Sequence, residues 1–152
     1  MIAGTGSGCG KTMVTLAVLR VMQRRNIPLA AFKCGPDYID PMFHKAVLGI
    51  PSRNLDLFFI SEREVRGQIV RSIPQNGIGV IEGVMGFYDG VSGTTDTASA
   101  AHLARETGTP AILVVRPKGQ SLSLAAMLSG FRNFAENTLC GVILNEISDT
   151  MY

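Results

Sequence analysis

Gly4-Thr5-Gly6-Ser7-Gly8-Cys9-Gly10-Lys11-Thr12 is a glycine-rich run closed by a lysine and a hydroxyl residue. Glycines let backbone N–H groups turn inward and approach phosphate oxygens closely. Lys11 brings a mobile positive charge, the Thr12 hydroxyl is a ligand for Mg²⁺, and a following helix points its positive end at the anion. The run departs from the usual G-x-x-x-x-G-K-[ST] spacing: five residues, not four, separate Gly4 from Gly10. The apolar start Met1-Ile2-Ala3 precedes it. Val14, Val18, Leu19, Val21 and Met22 follow at helical spacing over residues 11–25. Strand, phosphate loop and helix in that order predict a nucleotide site.

Working outward, short apolar runs alternate with helical patterns. Strands are predicted at 1–3, Pro28–Cys34, Ile78–Ile81, Pro110–Val115 and Leu139–Leu144. Helices are predicted at 11–25, Met42–Leu48, 61–72, Thr97–Thr107 and Ser121–Ala135. Ser61-Glu62-Arg63-Glu64 is a capping box. Residues 35–60 read as mixed, and Gly83–Gly93 as a glycine-rich loop. The alternation predicts one α/β domain over 1–152: a doubly wound, mostly parallel sheet with helices on both faces, of the P-loop NTPase type. No internal repeat or linker is evident.

Composition narrows the function. Hydrophobic residues make up 46% and charged residues 17% of 152, as in a well-buried globular chain. A net charge of +2 is too small to make nucleic acid the main partner. No apolar run reaches membrane-spanning length. Cys9, Cys34 and Cys140 lack metal-ligand spacing and cannot all pair, which suits a reducing, cytoplasmic setting.

In sheets of this kind ligands gather at the carboxyl ends of the strands. Lys33, Asp37 and Asp40 are placed there after the second predicted strand, Glu82 and Asp89 after the third, and Asn145 after the last. An acid at a buried strand tip beside a phosphate loop suits Mg²⁺ binding, although Glu82 could also be a cap or a surface charge. Lys33-Cys34-Gly35-Pro36-Asp37-Tyr38-Ile39-Asp40-Pro41 sets two carboxylates between stiffening prolines, a pattern that equally suits a plain Asp-Pro turn. His102 falls in a helical run and reads as structural. The roles of His44 and Asp56 stay open.

Together, the phosphate loop, Gly35-Pro36-Asp37-Tyr38-Ile39-Asp40, Asn54-Leu55-Asp56, Glu82-Gly83-Val84-Met85-Gly86-Phe87-Tyr88-Asp89-Gly90 and Gly141-Val142-Ile143-Leu144-Asn145 resemble the cobyrinic acid a,c-diamide synthase family. The lengthened phosphate loop is shared with the dethiobiotin synthetase group. The resemblance implies ATP and Mg²⁺ as cofactors and a cobyrinate-type tetrapyrrole as substrate. Acyl phosphates form on the a- and c-acetate carboxylates, and ammonia displaces the phosphate. The ammonia comes from glutamine through a C-terminal amidotransferase domain absent from these 152 residues, which marks the chain as a fragment.

By position, Gly4, Thr5, Gly6, Ser7, Gly8, Cys9, Gly10, Lys11, Thr12 and Asn145 are implied to hold the nucleotide. Thr12, Glu82 and Asp37 are implied to hold the metal. Lys33, Asp37, Asp40 and Asp89 are implied as catalytic, with Asp37, Asp40 and Asp89 nearer the carboxylate being activated. A homodimer stays open. Two other functions are weighed, a dethiobiotin-synthetase-like ligase and a partition-type ATPase. The second carries an extra lysine where this chain has Gly6.

Overall fold

The structure is a computed structural model that describes residues 1–147. Its elements run β1 (Ile2–Gly4), α1 (Lys11–Arg24), β2 (Leu29–Cys34), α2 (Ile39–Leu48), β3 (Ser52–Leu55), α3 (Glu62–Ser72), β4 (Ile78–Glu82), α4 (Ala100–Thr107), β5 (Ala111–Val115), α5 (Leu122–Asn133) and β6 (Leu139–Leu144). The six strands form one parallel sheet in the order β3-β2-β4-β1-β5-β6. The chain travels from β1 out to β2 and β3, returns through β4, and continues to β5 and β6. The order therefore reverses beside β1, and the crevice this opens lies at the tip carrying the phosphate loop.

Both faces are covered, as the continuous apolar strands predict. On one face Ile2, Ala31, Val80 and Val114 pack with Leu19 of α1 and Leu48 of α2. On the other, Ala3, Phe32, Ile81 and Leu113 pack with Val65 of α3 and Leu103 of α4. Leu124, Leu128 and Phe131 of α5 join this second cluster only partly buried. The predicted capping box is present: Ser61 Oγ accepts the Glu64 N–H while Glu64 reaches back to the Ser61 N–H.

Three sequence expectations need correction. The helix predicted from Thr97 begins at Ala100, where the Ser99 side chain caps it by accepting the His102 N–H. Residues 35–60 hold a sixth strand, β3, which is polar and lies at the sheet edge. Helix α2 begins at Ile39 instead of Met42. Pro41 falls in its first turn, where a missing N–H costs no intrahelical bond. Among the described residues, no helix is long and apolar enough to cross a membrane.

Candidate nucleotide and metal site

The loop from Gly4 to Gly10 wraps between β1 and α1, and two glycines show why side chains are excluded. A Cβ on Gly4 would lie 2.4 Å from Cys9 Sγ. Gly10 has φ 97°, and a Cβ there would lie 2.1 Å from Asn145 Nδ2. Ser7 and Gly8 form the exposed tip, whereas Cys9 is buried. Among the described residues no side chain caps α1, so its first amides remain available to an anion. Asn145, beyond β6, donates from Nδ2 to the Cys9 carbonyl at 3.0 Å. It thereby braces the loop from the far side of the sheet.

Lys11 is nearly buried and donates to two carbonyls, Gly6 O at 2.9 Å and Met85 O at 2.7 Å. Burial lowers its pKa, and the charges nearby do not restore it. It is a cation among dipoles.

Lys33 is placed differently. Its Nζ lies 2.5 Å from Asp40 Oδ2, 3.2 Å from Glu82 Oε1 and 3.7 Å from Asp37 Oδ2, and it donates to Gly83 O at 3.0 Å. Burial alone would lower its pKa, but the Asp40 hydrogen bond and the Glu82 charge outweigh it and raise it.

Glu82, fully buried at the end of β4, is the hub. Thr12 Oγ1 donates to its Oε1 at 2.6 Å, and His44 Nε2 lies 3.1 Å from its Oε2. Burial would push its carboxyl upward, yet His44, Lys33 and Thr12 together hold it down at about 2. Asp40 Oδ1 stands 3.5 Å from Thr12 Oγ1. Oxygens of Thr12, Glu82 and Asp40 thus converge beside the phosphate loop. A hard divalent cation takes such an all-oxygen set.

The remaining acids sit farther out. Asp37 Oδ1 accepts the N–H groups of Ile39 at 2.8 Å and Asp40 at 3.4 Å, so it also starts α2. Asp89 is exposed and takes the Gly86 N–H at 2.8 Å, bracing its own loop. It lines a cleft of about 390 Å³ with Asp56, Phe58, Phe59 and Met85. Asp56 is buried. Its Oδ1 accepts the Phe58 N–H at 2.9 Å, and its Oδ2 has no partner among the described residues. Tyr38, Ile39, Met42, Phe58 and Phe59 are all well exposed on the loops and helix flanking the cluster.

Sequence reasoning missed His44 and Ser52 as members of the cluster. Asp40 and His44 are four residues apart, one helical turn, which was the available signal. His102 is structural as read: its Nδ1 accepts the Ala98 N–H at 3.0 Å ahead of α4.

Residues 1–151 match the family model described as the CobQ/CobB/MinD/ParA nucleotide binding domain. Curated relatives named cobyrinate a,c-diamide synthase are similar over the whole chain. Those of Salmonella typhimurium and Clostridium acetobutylicum are 46% and 47% identical, and that of Clostridium tetani is 40% identical. In each case the chain spans about a third, 34%, of the relative's length.

Proposed function

Because the chain belongs to the CobQ/CobB/MinD/ParA nucleotide-binding domain family, we propose that it is the ATP-dependent amidoligase part of a cobyrinate a,c-diamide synthase. The observation that carries this reading is the convergence of Lys11, Thr12, Lys33, Asp40 and Glu82 at one end of the sheet. A site that phosphorylates a carboxylate must bring two anions together. It needs cations on both sides of the transferring phosphoryl group.

Lys11 and the amides of residues 6–12 hold the ATP phosphates. Thr12, Glu82 and Asp40 hold Mg²⁺, with Asp37 at the margin. When bound, the metal offsets charge on the phosphates during transfer. A substrate carboxylate oxygen forms a bond to the γ-phosphorus while the bond to the ADP oxygen breaks. Ammonia then bonds to the acyl carbon, inorganic phosphate leaves, and the amide results. Lys33 acts from the strand tip by holding Asp40 and Glu82 in place beside the reacting groups, and Asp89 stands at the cleft edge. The exposed apolar residues around the cluster suit a large substrate with an apolar body and carboxylate arms.

Ammonia is supplied from glutamine by an amidotransferase domain in the longer protein, which works in the cytoplasm. Burial pushes the Cys34 thiol up to about 12, which makes it a poor nucleophile. Release of glutamate from glutamine is expected to require the amidotransferase domain.

An isotope experiment tests the reading. The full-length protein is given cobyrinate carrying ¹⁸O in its carboxylates, with ATP, Mg²⁺ and ammonium. Label passing into the released phosphate, together with amide, supports it. ATP turnover that leaves the phosphate unlabelled overturns it.

A further inference from the structure

We propose that His44, braced by Ser52, is a positioning residue that fixes the orientation of the Glu82 carboxylate towards the phosphate loop. The inference rests on Glu82 acting as a metal-holding group. His44 is completely buried and lies one turn after Asp40 on α2, so both side chains reach the tip of β4. Its Nε2 is 3.1 Å from Glu82 Oε2, and its Nδ1 is 3.0 Å from Ser52 Oγ on β3. A carboxylate only accepts, so Nε2 carries the proton that points at Glu82. Ser52 holds the ring at the opposite nitrogen.

The two Glu82 oxygens then have separate tasks. Oε2 is engaged by His44. Oε1 faces Thr12 and Lys33. Without His44, Oε2 would lose its partner inside the protein, at a buried position where an unsatisfied charged oxygen is costly. The carboxylate would turn so that Lys33 takes both oxygens, and the Oε1 edge would leave Thr12. Oriented second partners of this kind commonly govern how well a ligating group holds its metal. The arrangement also explains why a polar histidine occupies a site that an apolar side chain of similar volume would fill.

The test uses Mn²⁺ as the probe in the full-length protein. Its affinity is followed by electron paramagnetic resonance in the presence of ATP, and ATP affinity is measured separately without metal. His44→Asn is too short to reach Glu82. It is expected to weaken Mn²⁺ binding about 10- to 100-fold and leave metal-free ATP affinity unchanged. His44→Gln can place an amide N–H where Nε2 stood and should stay close to wild type. Ser52→Ala should fall between them. Wild-type Mn²⁺ affinity in His44→Asn overturns the inference, as does equal damage in the Asn and Gln variants, the mark of simple packing. If His44→Asn does not fold, an unchanged Mn²⁺ affinity in Ser52→Ala overturns it instead. Failure of the underlying reading looks different: wild-type protein would then bind Mn²⁺ no better with ATP than without.

Discussion

The two buried lysines of the site, one opening α1 and the other near the end of β2, are held in opposite ways. Lys11 is surrounded by carbonyl dipoles and no carboxylate touches it within hydrogen-bond distance among the described residues. Lys33 touches three carboxylates. Burial depresses the first, and the second is raised because its partners overcome burial. The difference separates two kinds of cation. Lys11 has charge left to offer an incoming anion. Lys33 is already neutralised, and its charge organises Asp40 and Glu82 before any ligand arrives. A lysine beside a phosphate loop can therefore serve by binding or by arranging what binds, and its hydrogen-bond partners tell which.

The largest expected effect breaks the pair apart by stability. Lys33→Met would leave Glu82 and Asp40 without their shared cation, and removing one member of a buried ion pair costs about 3–5 kcal/mol. Lys11→Met removes a desolvated charge with only dipoles for partners and should cost far less. Urea unfolding of both variants checks this. Equal losses would erase the distinction.

The second prediction concerns acid. The Glu82 carboxyl is held at about 2 against its ordinary 4.5. Its folded value is the lower one, so its contribution is complete above pH 4.5 and disappears as the pH falls towards 2. A shift of this size corresponds to roughly 3 kcal/mol. Stability measured against pH should fall through that window in the wild type. Glu82→Gln should lose that part of the slope.

The third tests the binding lysine. Lys11→Ala should weaken ATP·Mg²⁺ binding by about 1.5–3 kcal/mol, the worth of a hydrogen bond to a charged group. Calorimetric titration reads it, and an unchanged affinity would remove Lys11 from the site.

The smallest effect sharpens the Lys33 side. Asp37 lies 3.7 Å from Lys33 and is partly exposed. Asp37→Asn should change stability by less than about 1 kcal/mol, because Asn can still accept the N–H groups that begin α2. A larger loss in thermal melting would place Asp37 inside the cluster with Asp40.

Much of this was legible in the sequence because its signals are local. The phosphate loop is a contiguous run, and the apolar strands β2, β4 and β5 stand out from the helices between them. Strand β3 was not legible. Ser52-Arg53-Asn54-Leu55 carries one buried apolar residue, and it is a strand because the edge of β2 pairs with it. His44 was missed for the same reason, since its partners Ser52 and Glu82 lie 8 and 38 residues away. Asp40 and Asp37 were both expected as site acids, but the sequence reading set Asp37, not Asp40, beside Thr12 and Glu82. Only the packing of α2 brings Asp40 to Thr12 and turns Asp37 back to the start of its own helix.

The contact between Asn145 and the loop has a kinetic side. Asn145 Nδ2 and the Cys9 carbonyl are 136 residues apart in the chain, and Gly10 is moulded around the same amide. The loop at the beginning of the chain is thus completed by a residue reached only after the sixth strand. Loop-closure entropy makes such distant pairings late events in folding. Nucleotide-binding competence is therefore expected to lag behind formation of the sheet during refolding. A fluorescent ATP analogue would then bind in a phase slower than the recovery of far-ultraviolet circular dichroism, and would report the moment at which the last strand docks.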